Sequence, residues 1–106
     1  NFTWYHKGID IANRAGPSVV AADAGKVLVA GWPDSYGYGN RVIIDHGNGY
    51  RTLYAHLSTI YVIAGQTVSR GSAVGKMGST GRSTGTHLHF EVTQNGAYIN
   101  PLNVLR

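Results

Sequence analysis

Residues 42–58 read VIIDHGNGYRTLYAHLS. Two arms rich in β-branched and aromatic residues, VIID and YRTLYA, flank Gly47-Asn48-Gly49. Glycine and asparagine tolerate the positive φ of a tight turn, so the stretch predicts a β-hairpin. Asn95-Gly96 repeats the signal between HFEVT and AYI. Outward from these hairpins, strands are expected at Ser18–Ala22, Gly25–Gly31, Arg41–Asp45, Arg51–His56, Ala73–Met77 and Thr86–Thr93. Turns are expected at Ala15-Gly16-Pro17, from Trp32 to Gly39 and from Gly78 to Gly85, and Ala64 to Gly71 reads as two β-turns around a valine. The 15 glycines interrupt nearly every window long enough for a helix. The expectation is an all-β fold, a small antiparallel sheet with long loops at its edges.

At 106 residues the chain is one domain, residues 1–106. It opens directly into fold-like sequence at Asn1, without a signal peptide, and so reads as a domain excised from a longer chain. No apolar run approaches the roughly 20 residues of a membrane span, so no membrane segment is expected. The absence of cysteine excludes a disulfide scaffold and a thiolate metal site. A formal charge of +4 favours acidic partners, an anionic cell wall among them. The 9 basic residues are scattered, which argues against a nucleic-acid groove. The GSTGRSTG loop lacks the lysine of a phosphate-binding loop and feeds a strand, so it reads as a flexible turn into HLH, with a loop bordering a groove as the functional alternative.

Four of the 5 histidines fall into three strings: His6 with Asp10 in HKGID, His56 in YAHLS, and His87 with His89 in THLHFE. In the last of these, strand alternation puts Leu88, Phe90 and Val92 on a core face and His87, His89 and Glu91 on the other. Same-face neighbours stand about 6.5–7 Å apart, so one histidine can bind a metal while the other reaches a group attached to it. Glu91 is better suited to orienting a histidine N–H than to binding metal. In HKGID an extended backbone would hold His6 and Asp10 about 13 Å apart. Ligand distances of about 2.0–2.2 Å then require a bend, which Gly8 permits. In LYAHL, alternation puts Leu53, Ala55 and Leu57 on one face and Tyr54 with His56 on the other. His46 reads as a turn histidine. Any one of these strings also fits a solvated polar strand.

Together and in this order, HKGID, YAHLS and GTHLHFE resemble the M23 family of zinc metallopeptidases, the lysostaphin- or LytM-type cell-wall endopeptidases. The flanks VVAADAGKVLVAG, YGNRVIIDHGNGYRTLYAHLS and GQTVSRGSAVGKMGSTGRSTGTHLHFEV carry the likeness from about Tyr5 to Leu102. The resemblance implies one Zn2+ held by His6, Asp10 and His89 in an open groove. It makes His56 and His87 a catalytic pair outside the ligand set. It implies a substrate in the peptide stems or cross-bridges of bacterial peptidoglycan, and an extracytoplasmic location. Family members usually carry a further segment before the first histidine. Only five residues precede His6, so one wall of the groove is expected to be missing or differently built.

The chemistry fits that implication. Two imidazoles and a carboxylate suit zinc and leave a fourth position open. Zinc lowers the pKa of a bound water from about 15.7 to about 7. His87, one strand step from His89, is placed to move a proton to the leaving amine. His56 can hydrogen-bond the water or the oxyanion, and the two roles are interchangeable at this level. Tyr54 is the foremost candidate to line the substrate groove, with Trp32, Tyr36 and Tyr38 behind it. One rival reading is a catalytically silent cell-wall-binding or amidase-activating module of the same fold. The other is a metal-free β-domain with solvated histidines.

Overall fold

The computed structural model describes residues 2–4, 8–12, 16–32, 38–80 and 85–100. Its strands are β1 (Phe2–Trp4), β2 (Ile9–Ala12), β3 (Ser18–Val20), β4 (Gly25–Gly31), β5 (Asn40–Gly47), β6 (Tyr50–Ile60), β7 (Thr67–Val68), β8 (Ala73–Met77), β9 (His87–Gln94) and β10 (Ala97–Ile99). Every pairing between them is antiparallel. No helix occurs among the described residues, and hence none long and apolar enough to cross a membrane. All six expected strands form, and the hairpins form where the turn chemistry put them. Asn48 and Gly49 have φ of 54° and 81°, and Asn95 and Gly96 have 52° and 86°. A two-residue hairpin loop needs such paired positive values to match the strand twist.

The sheet runs β1-β2-β9-β6-β5-β4-β7, with β10 beside β9 and the β3–β8 pair branching from β6. Residues directly opposite in an antiparallel pair project to the same face. Val42, Tyr54 and Phe90 therefore form one cross-strand row, and Ile44, Thr52 and Val92 the next. All six side chains are buried, and the Tyr54 and Phe90 ring centroids lie 5.3 Å apart. Each large apolar side chain in these rows contributes on the order of 1.5–3 kcal/mol by leaving water. The opposite face carries the row Asp10, His89, Ala55 and, beside it, the pair Glu91 and Leu53. Gly8 has a use that the sequence did not show. A Cβ at that position would stand 2.3 Å from the Phe90 carbonyl oxygen, so glycine lets this segment approach β9.

Strand alternation misassigns one stretch. Between the Val42–Tyr54 and Asn40–Leu57 pairs, β6 carries one residue more than β5, and His56 sits at φ 63°. That bulge breaks the two-residue period. His56 leaves the face of Tyr54 and joins that of His89, its ring centroid 4.7 Å from His87 and 6.2 Å from His89. Tyr54 remains in the core at 1% exposure. Its hydroxyl accepts from the Ala22 N–H at 2.9 Å and shares a hydrogen bond with Thr52 at 2.8 Å. The expectation that Tyr54 lines the substrate groove is therefore corrected: it is a core residue.

The left-handed backbone at His56 has a measurable consequence. A residue with a Cβ costs about 1–2 kcal/mol there, a penalty glycine escapes. His56→Gly and His56→Ala lose nearly the same side chain. His56→Gly is nevertheless expected to be the more stable by about 1 kcal/mol in urea unfolding. Equal midpoints and slopes would show that the bulge relaxes when the imidazole goes.

Candidate metal centre

The β2–β9 register places Asp10 opposite His89. Asp10 Oδ1 lies 2.5 Å from His89 Nδ1, and Asp10 Oδ2 lies 3.9 Å from His87 Nε2. At the far side of the same ring, His89 Nε2 lies 2.8 Å from Glu91 Oε2, which also accepts the Tyr38 hydroxyl at 2.9 Å. Glu91 thus faces a ring nitrogen of His89, on the strand face where alternation put it. Both carboxylates only accept, and a neutral imidazole has one proton to give. With that proton on Nε2 toward Glu91, the Nδ1 lone pair meets an Asp10 oxygen. Two acceptors that close require a cation between them, a second proton or a metal. Burial acts to lower the His89 pKa, but the hydrogen bonds to Glu91 and Asp10 outweigh it and raise it above the usual imidazole range. The donor set fits a divalent ion with nitrogen and oxygen preference.

His56 and His87 are held differently, each by a backbone carbonyl at Nδ1. His56 Nδ1 donates to the Thr80 carbonyl at 2.6 Å, and His87 Nδ1 to the Gly85 carbonyl at 3.0 Å. A carbonyl accepts only, so each neutral ring keeps its lone pair on Nε2. Burial holds the His56 pKa below the usual range, with the neighbouring His87 and His89 adding to it, against the opposing Thr80 bond. The Thr80 carbonyl is itself fixed. Thr80 Oγ1 donates to the Leu57 carbonyl at 2.7 Å and accepts from the Asn40 N–H at 3.1 Å.

Four of the five side chains expected at the metal and catalytic positions, Asp10, His56, His87 and His89, converge on one face of the sheet. The fifth, His6, lies outside the described residues, as does Tyr36. Among the described residues, no three His, Cys, Asp or Glu side chains could by themselves hold a metal ion. Trp32 is exposed at the end of β4. Two residues of the site carried no sequence signal for their part in it. Thr80 anchors His56 from 24 positions away, and Tyr38 reaches Glu91 across 53. Burial, then the bond to Glu91, pushes the Tyr38 phenol well above its ordinary range, so it stays a donor. His46 is engaged elsewhere, with the Ala24 carbonyl at 2.8 Å and Thr52 Oγ1 at 2.7 Å. It borders a separate pocket of about 470 Å³ that none of the four converging side chains lines.

An antiparallel sheet bearing this histidine and carboxylate face belongs with the M23 peptidases. The chain is a member of Peptidase family M23, whose sequence profile matches residues 4–101. It is 48% identical over 103 residues to the DD-carboxypeptidase/endopeptidase Mpg of Neisseria meningitidis, covering 96% of this chain and 23% of that protein. It is 45% identical over 100 residues to the murein hydrolase activator NlpD of Salmonella dublin, covering 94% of this chain and 26% of that protein. The chain thus spans about a quarter of the length of these curated relatives. Among solved structures, the catalytic domain of the antimicrobial peptidase lysostaphin from Staphylococcus simulans superimposes with a TM-score of 0.84 at 38% identity, over 94% of this chain and 78% of that one.

Proposed function

We propose that residues 1–106 are a single zinc-dependent endopeptidase domain that hydrolyses peptide bonds in the stems or cross-bridges of bacterial peptidoglycan, outside the cytoplasm. The observation that carries this reading is a split in what each ring nitrogen faces. His89 turns Nδ1 toward Asp10 Oδ1, whereas His56 and His87 are both held by Nδ1 and keep Nε2 as a base. In this reading His6, Asp10 and His89 hold one Zn2+, which would supply Lewis-acid polarisation of the scissile carbonyl and of water. The remaining work falls to the chain's own side chains. His87 takes a proton at Nε2 from the attacking water and returns it to the leaving amine. His56, kept neutral by burial, accepts a hydrogen bond at Nε2 or, once protonated, donates one to the oxyanion. Membership of a peptidase family and the likeness to an endopeptidase support the assignment. The formal charge of +4 suits an anionic wall.

The 45% identity to a murein hydrolase activator favours a second reading, a module of the same fold that stimulates another wall enzyme and cleaves nothing itself. Defined muropeptides incubated with the chain and followed by mass spectrometry separate the two. Hydrolysis with one zinc per chain, lost on chelation and restored by zinc, is the expected result. Bound zinc without a fragment from any muropeptide favours the activator.

A further inference from the structure

We propose that Tyr38 and Glu91 form a positioning pair that selects the tautomer of His89 and so tunes how tightly this face holds a metal. The proposal rests on the zinc reading above and deepens it. Glu91 is 3% exposed, and a carboxylate so deep must be met by donors. Its Oε2 receives two, His89 Nε2–H at 2.8 Å and the Tyr38 hydroxyl at 2.9 Å.

The logic is one of proton placement. Were the single proton of neutral His89 on Nδ1, that nitrogen would have no lone pair for a cation. Nε2 would then oppose a Glu91 oxygen at 2.8 Å, two acceptors face to face. Glu91 penalises that arrangement, and once a cation lies between Nδ1 and Asp10 the matching clash at Nδ1 is gone, so the pair favours Nδ1 as the donor atom. Tyr38 in turn fixes the Glu91 oxygen, and its ring centroid lies 6.0 Å from that of His89. The Tyr38 carbonyl also accepts the His56 backbone N–H at 2.8 Å. One residue on the approach to β5 therefore ties the bulge that carries His56 to the carboxylate that orients His89. The Arg41 guanidinium, 5.2 Å from the Tyr38 ring centroid, packs against that ring.

The test uses the 106-residue chain with zinc alone as the probe. Zinc affinity is read by competition with a chromophoric chelator, and the His89 tautomer from ring 15N shifts. Glu91→Leu removes the acceptor and is expected to weaken zinc binding by about ten- to a hundredfold. Glu91→Gln keeps an acceptor oxygen and should recover part of the loss. Tyr38→Phe is expected to cost about three- to tenfold, the net worth of one hydrogen bond. His89 ring shifts should move in the same order. If Glu91→Leu does not fold, Tyr38→Phe decides. Unchanged zinc affinity and unchanged His89 shifts in a folded variant overturn the pair while leaving the metal reading intact. A His89→Ala chain that still binds zinc overturns the metal reading and this proposal with it.

Discussion

Replacing Asp10 or His89 by alanine is expected to abolish zinc binding and hydrolysis together. Asp10 carries the only carboxylate in the proposed ligand set, and its Oδ1 is the atom that meets His89 Nδ1. Without it two imidazoles remain, and the charge that offsets a divalent cation is gone. Without His89 the carboxylates of Asp10 and Glu91 lose the ring that separates them. Losing a ligand costs more than losing a residue behind one, so zinc affinity should fall by more than about a hundredfold. The fold should survive Asp10→Ala. That side chain is 28% exposed, and β2 pairs with β9 through the backbone. Metal content after desalting, hydrolysis of a muropeptide and far-UV circular dichroism check the three claims on one sample. A folded Asp10→Ala chain with one zinc per molecule would remove Asp10 from the ligand set.

What could be read in the sequence was what local chemistry determines. Asn48-Gly49 and Asn95-Gly96 announced their hairpins because few other pairs adopt two positive φ values cheaply. Leu88, Phe90 and Val92 declared the core face of β9 by alternation, and so left His89 and Glu91 on the opposite face. The meeting of Asp10 with His89 is a different matter. It depends on β2 pairing with β9 across most of the chain, and only the family resemblance anticipated it. His56 was placed on the wrong face because nothing in YAHLS marks a left-handed residue. The bulge arises from how β5 and β6 pair, and no glycine betrays it. Tyr54 inherited that error. Tyr38 and Thr80 act through a hydroxyl and a carbonyl on side chains many positions distant, and neither contact leaves a periodic trace.

His87→Ala, by contrast, is expected to keep its zinc and lose turnover. The ring stands beside the proposed ligand set. Its Nδ1 is tied to the Gly85 carbonyl, and its Nε2 lies 3.9 Å from the second Asp10 oxygen. Removing it leaves the Asp10 Oδ1 and His89 Nδ1 contact in place. It also deletes a base at the point where a proton must leave water and reach an amine. Positioned acid–base groups are worth about 10²–10⁴ in rate, and the fall in turnover should lie in that range. His56→Ala should cause a fall of the same order, with a greater loss of stability, because its ring is buried and hydrogen-bonded to Thr80. The pair can then be tested together. With the proton assigned to His87 and the oxyanion to His56, the two losses should largely multiply, less a coupling between rings whose centroids lie 4.7 Å apart. A double alanine variant no worse than either single variant would instead make the two rings one proton-handling unit. Full turnover in zinc-loaded His87→Ala would take His87 out of the chemistry and leave proton transfer to His56.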